Sequence, residues 1–267
     1  MNDPVGVVLS QRFAKLHHAT QLRDFAMYCD QKAVLSRERL SAAGDDFTRF
    51  YTDDADQKHG VWNRTFGNLQ DFGRLFWFAD NNIPNCYGPI TLSFDRAIWD
   101  SYTDIALTTT NPGDKKYDLQ LDRLSDEQVE GCFVKNGKYW KLTKYGLELS
   151  VGNDHLPLDL VTSVIVEPIN DQILGQVTTK WQSAGLNPGI VKARDTTNST
   201  QNLKDTFTLL VDWATTAAST LPIYTELPSA VPEQLKQWFS GLRYTHYPAL
   251  RQWLIYTYNG TIRCPAA

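Results

Sequence analysis

The dipeptide Asn136-Gly137 sits between the apolar run Cys132-Phe133-Val134 and the segment Lys138-Tyr139-Trp140-Lys141-Leu142. Asn-Gly favours the two positive φ angles of a type I′ turn, whose twist matches that of paired strands, so a tight hairpin is expected here. Strand signals recur around it. Ile90-Thr91-Leu92-Ser93-Phe94, after Gly88-Pro89, alternates apolar and polar residues as a half-buried strand does. Leu147-Glu148-Leu149-Ser150-Val151 alternates in the same way. The turn residues Gly152-Asn153-Asp154, a short helix started by Pro157 and the strand Val164-Ile165-Val166 follow it, and a last strand is expected at Gly189-Ile190-Val191-Lys192-Ala193.

Between these strands the period changes to that of a helix. A short strand at Lys15 to Ala19 precedes Leu22, Phe25, Ala26 and Cys29, which share one helical face behind a Thr20 cap. Helices are expected from about Arg96 to Ile105 and over 170–182. Ser36 to Asn82, rich in Asp, Arg, aromatics and glycines, reads as a loop followed by an irregular helix. Asp195 to Gln201 is a polar break, after which Leu203, Phe207, Leu210, Val211 and Ala214 recur at helical spacing, with further helices around 231–241 and 247–257. The fold class is therefore α/β (α+β), with a mixed domain over 1–195 and a helical C-terminal extension over 196–267 packed on it.

The 267 residues are 42% hydrophobic, enough for a buried core and too much for a disordered chain. A formal net charge of -4 argues against coating duplex nucleic acid, which requires many phosphates to be neutralised. No stretch reaches the roughly 18 apolar residues of a membrane span, and the first residues lack a leader pattern, so cytoplasmic residence without membrane contact is expected. Cys29, Cys86, Cys132 and Cys264 form no CxxC pair, and the histidines form neither HxxxH nor HExxH, so no metal is expected. Asp53-Asp54-Ala55-Asp56 lacks the glycine and closing glutamate of a calcium loop and reads as a solvated acidic turn. Phosphate-loop, GxGxxG and GxSxG patterns are absent.

What remains is a histidine at the end of a first strand, an arginine-aromatic stretch and a carboxylate opening a late strand. Leu16-His17-His18-Ala19-Thr20-Gln21-Leu22, followed by a helix and Val34-Leu35-Ser36-Arg37, resembles the opening of the DarT family of nucleic-acid ADP-ribosyltransferase toxins. Tyr87-Gly88-Pro89 with Ile90 to Phe94 is similar to that family's next core strand. Glu148-Leu149-Ser150-Val151 and Leu156 to Val166 resemble its glutamate-headed strand, proline-started helix and following strand. The resemblance spans residues 13 to 170 as spaced landmarks.

The resemblance implies an ADP-ribosyltransferase-like split β-sheet core and transfer of one ADP-ribose from NAD, as co-substrate, to a base of single-stranded DNA or RNA. It implies Glu148 and Arg64 as catalytic residues, with His18, Thr20, Arg37 and Arg49 contacting NAD. Arg37, Arg49 and Arg64 all lie in the interval that the family's arginine occupies. It implies a toxin with an antitoxin partner, as in toxin–antitoxin and phage-defence systems. A protein acceptor for the same chemistry and a non-catalytic binding module of such an assembly are the alternatives. The residues have plainer readings too: Glu148 as a solvated strand residue, His18 bonding a backbone carbonyl, Arg64 packing its stem or making a surface ion pair. The aromatics of 61 to 78 could stack a base or nicotinamide, or form core.

Overall fold

The computed structural model describes residues 3–44, 47, 53–78, 88–110, 112, 114, 116–144, 147–152, 155–168, 171–201, 204, 205, 208 and 209. Arg49, Cys86, Cys264 and almost all of the expected C-terminal extension lie outside these residues.

The chain opens with α1 (Pro4–Gln11), unexpected from the sequence and started by Asp3, whose carboxylate accepts from the Val5 and Gly6 N–H groups, with Pro4 in the first turn. Then come β1 (His17–Thr20), α2 (Leu22–Gln31), β2 (Ala33–Leu35), α3 (Arg37–Ala42), α4 (Asp53–Lys58), β3 (Thr65–Asn68), α5 (Phe72–Phe78) and β4 (Ile90–Phe94). A 3₁₀ segment, Arg96–Ser101, leads to β5 (Ile105–Thr108), α6 (Leu119–Asp122), α7 (Asp126–Glu130), β6 (Phe133–Asn136) and β7 (Tyr139–Leu142). Next come β8 (Glu148–Val151), β9 (His155–Pro157), β10 (Val161–Val166), α8 (Asp171–Ser183) and β11 (Val191–Ala193).

Seven strands form one sheet in the order β11-β10-β4-β1-β3-β8-β5. Its neighbours are antiparallel except β10 and β11, which run parallel. The pairs β2-β9 and β6-β7 stand apart as two-stranded sheets. Leu92, Phe94, Leu149, Val151, Ile105, Leu107, Val164 and Val166 are buried and join Leu9, Phe25, Val177 and Trp181 of α1, α2 and α8 in one core. Phe25 stacks on Trp181 with ring centres 6.0 Å apart. Burying each such side chain contributes roughly 1.5–3 kcal/mol. Among the described residues no helix is long and apolar enough to cross a membrane.

Several expectations change. Thr20 does not cap α2: it is the last residue of β1, paired with Ile90, and its hydroxyl donates to the Gln21 carbonyl, so the helix starts one residue later without a side-chain cap. The hairpin forms, but Asn136 pairs with Tyr139, leaving Gly137-Lys138 at the centre of the turn. Only Gly137 has positive φ (61°), the pattern of a type II′ turn rather than I′. The helix expected over Arg96 to Ile105 is a 3₁₀ segment, because Ile105 is already in the ladder opposite Val151. Pro157 ends β9 before a 3₁₀ turn, Leu158–Leu160, and the last strand is shortened by a second one, Pro188–Ile190. The supposed loop before Asn82 contains the interior strand β3, where a Cβ on Gly67 would overlap Leu16 Cδ1 and lie 3.0 Å from the His17 carbonyl oxygen. The glycine that hid this strand is the one its close packing requires.

Candidate active site

Residues opposite one another in a ladder share a face, and the register draws one polar row across the sheet. Thr108 lies opposite Glu148, Glu148 opposite Asn68, Asn68 opposite His17, His17 opposite Ser93, and Ser93 opposite Ser163. Thr91 and Ser150, two residues along from Ser93 and Glu148, belong to the same face and are buried. The sheet is thus apolar where α1, α2 and α8 cover it and polar on its other side. A buried polar sheet face is a costly arrangement for a core and a suitable floor for a ligand.

Glu148 opens β8, between β3 and β5. The residue keeps part of its surface, yet its Oε2 is enclosed and has no hydrogen-bond partner. Burial pushes its carboxyl up to about 8, and the charge of Asp56 adds to the effect. It is therefore not a solvated strand residue. Tyr117, in the segment that leaves the sheet after Thr108 and returns through the Thr108–Arg123 bridge, is buried, and its hydroxyl has no partner either. Burial first and the Glu148 charge second push this phenol up to about 12. The His59 ring meets Tyr117 edge-on at 5.6 Å. Asp56, expected in a solvated acidic turn, is instead a buried residue of α4, because this short helix turns it away from solvent.

Arg64 is buried at the start of β3 and its guanidinium is committed. Nε donates to Ser150 Oγ (2.9 Å), Nη2 to the Ser150 and Asp104 carbonyls (3.2 and 3.3 Å), and Nη1 to the Asp104 carboxylate. It joins β3 to β8 two residues from Glu148. Asp104 is pushed up by its partial burial, but Arg64 and then Arg123 outweigh this and hold it below the usual carboxylate range.

His18 and Thr20 lie on the other face of the sheet from Glu148, and the Arg37 charge reaches His18. His18 follows His17 in β1, so alternation sends its side chain toward α2, where its ring meets Tyr28 at 5.7 Å. His18 Nδ1 lies 2.7 Å from the Phe66 carbonyl, which can only accept, so Nδ1 carries the proton. Burial lowers this imidazole to about 4, with the Arg37 charge assisting against the carbonyl bond. Arg37 donates through Nε and Nη2 to Asp53 at 2.9–3.2 Å and lies 3.6 Å from Asp24. Its guanidinium also covers Phe47 at 4.8 Å.

His17, not His18, shares the Glu148 row. Its Nδ1 is 2.9 Å from Ser93 Oγ, and burial lowers it to about 4 although Asp71 opposes the shift. Beyond it Arg194 grips Asp71 with both terminal nitrogens (2.9 Å each) and Glu167 with Nε (2.7 Å). The Trp77 indole donates to the other Glu167 oxygen at 2.8 Å, fixing α5 over this end of the face. Gly73 is needed there, since a Cβ would overlap Glu167 Oε1 and Arg194 Nη2. Trp77 of the aromatic run is thus core.

Tyr117, Asp56 and His17 escaped sequence reasoning. The alternation of His17 with His18 was visible, but which of them faces Glu148 depends on the β1-β3 register. No family model matches the chain, and no curated protein matches it.

Proposed function

We propose that this chain is a NAD-dependent mono-ADP-ribosyltransferase of the DarT-like toxin kind, with a split β-sheet core, acting on a base of single-stranded DNA or RNA in the cytoplasm. The observation that carries the reading is the Glu148 carboxylate, enclosed at the start of an interior strand, raised to about 8 and unpartnered. A group so placed destabilises the free protein and is matched to a ligand. NAD supplies a cationic nicotinamide ring, which favours the ionised carboxylate as it binds.

In the step proposed, a base nitrogen attacks C1′ of the nicotinamide ribose while the C1′–N bond breaks and its electron pair leaves on neutral nicotinamide. Positive charge grows on the ribose, where a nearby carboxylate stabilises it. Glu148 then takes the proton from the attacking nitrogen. The step balances without a metal. His17 stands two strands from Glu148, roughly 10 Å across the ladder, within reach of another part of the same dinucleotide. Arg64 acts as a positioning residue, tying β3 to β8 through Ser150. Phosphate binding by Arg64 or Arg37 would require either to exchange a carboxylate partner, while Arg49 lies outside the described residues.

An acceptor with one splayed base suits a chain of net charge -4, because stacking and base-edge contacts replace broad phosphate neutralisation. A toxin of this kind requires a neutralising antitoxin. The test is wild type and Glu148→Ala with labelled NAD and, separately, single-stranded DNA, RNA and lysate protein. Label on one nucleic acid, lost in the folded variant, is expected. Label on protein alone would overturn the acceptor, and no label in any pool would overturn the transferase reading.

A further inference from the structure

Two enclosed polar atoms on the same side of the molecule lack partners, Glu148 Oε2 and the Tyr117 hydroxyl. Buried groups of this kind are normally bonded, and leaving each one unpaired costs roughly 1–3 kcal/mol. Thr108 faces Glu148 in the ladder, the segment that follows carries Tyr117 and returns to Thr108 at Arg123, and the charges of Glu148 and Asp56 both act on the Tyr117 phenol. The segment is held down at both ends: Thr110 Oγ1 donates to Asp122 Oδ1 at 3.1 Å, and Arg123 bridges back to Thr108. The His59 ring packs edge-on against the Tyr117 ring at 5.6 Å.

We propose that Tyr117 is a second substrate-contacting residue, and that its phenol and the Glu148 carboxylate together clamp one ligand hydroxyl. The chemistry of the pair selects the occupant. An anion would satisfy the phenol but meet the Asp56 charge and oppose ionisation of Glu148. A hydroxyl satisfies both at once, accepting from Tyr117 O–H and donating to Glu148 Oε2. The Glu148 carboxylate in the clamp and Asp56 beside it favour a hydroxyl attached to a cationic framework, and an N-ribosylated pyridinium has that combination. This inference rests on the NAD reading above and adds to it a residue and a discrimination, the cationic form of the ligand over its neutral dihydropyridine.

The test uses the full chain, with nicotinamide riboside and its monodeoxy forms as probes and calorimetry as the readout, alongside labelled transfer from NAD. Tyr117→Phe keeps the ring against His59 and removes only the hydroxyl. It is expected to weaken nicotinamide riboside binding about ten-fold. One monodeoxy form is expected to lose more than that on wild type, because it forfeits both contacts, and to lose less on Tyr117→Phe, where only the Glu148 contact is left to lose; a purely structural tyrosine would leave the two losses equal. If Glu148→Ala abolishes transfer while Tyr117→Phe changes neither binding nor kcat/KM, the clamp is overturned, the orphan atoms hold only water, and the NAD reading stands. If folded wild type neither binds the riboside nor transfers label, the NAD reading itself is overturned and the clamp with it.

Discussion

Replacing Glu148 with glutamine keeps the shape of the side chain and removes its charge. The carboxyl is pushed from the ordinary 4.5 up to about 8 by burial and by Asp56. The unfolded chain therefore releases this proton above pH 4.5 while the folded one holds it. The stability so contributed is full below pH 4.5 and is lost as pH rises through 8. At about 1.4 kcal/mol per pH unit, the loss accumulated by pH 7 is bounded at roughly 3 kcal/mol. Glu148→Gln escapes it. Urea unfolding of both proteins, followed by tryptophan fluorescence from pH 4 to 9, should show the variant gaining on wild type by roughly 1–3 kcal/mol between pH 4.5 and 7, then levelling above pH 8. A constant offset from the glutamine amide does not affect the slope. A difference that stays flat across this range, or turns against the variant as pH rises, would refute a buried and unpartnered carboxylate.

Other perturbations probe the frame around that group. Gly67→Ala places a methyl against Leu16 and the His17 carbonyl in the middle of the sheet, and thermal unfolding should show a loss of about 1–3 kcal/mol. Arg64→Ala removes the tie between β3 and β8; because Asp104 keeps 41% of its side-chain surface, a loss of about 2 kcal/mol is expected, with Arg64→Lys recovering little of it. A loss under half of that would contradict the assignment of Arg64 as a positioning residue. His17 and His18, both lowered to about 4 chiefly by burial, hold stability that is full above pH 6.5 and is lost as pH falls toward 4. Imidazole NMR titrations with midpoints near 4 rather than 6.5 would bear this out.

The parts of the fold legible in the sequence are those whose side chains alternate over an apolar core. Ile90 to Phe94, Leu147 to Val151 and Val164 to Val166 give strands close to where alternation puts them, and Ile173 and Val177 mark α8. Thr65-Phe66-Gly67-Asn68 gives no such signal, since its glycine weakens the pattern while permitting close contact with β1. Glu148 was legible as a position, flanked by leucines on the opposite face. Its enclosure was not, because Asp56 and Tyr117 lie 92 and 31 residues away in sequence and reach it only through the fold. Choosing between His17 and His18 needed one bridge, His17 to Asn68, since a shift of one residue exchanges the faces.

The most direct measurement is the titration of the Glu148 carboxyl by carbon NMR, assigned with Glu148→Gln and recorded with and without NAD. A midpoint near 8 in the free protein, moving down when the cationic nicotinamide ribose binds, is expected. A midpoint near 4.5 that NAD leaves in place would contradict both the enclosed carboxylate and its role as the group that meets the substrate.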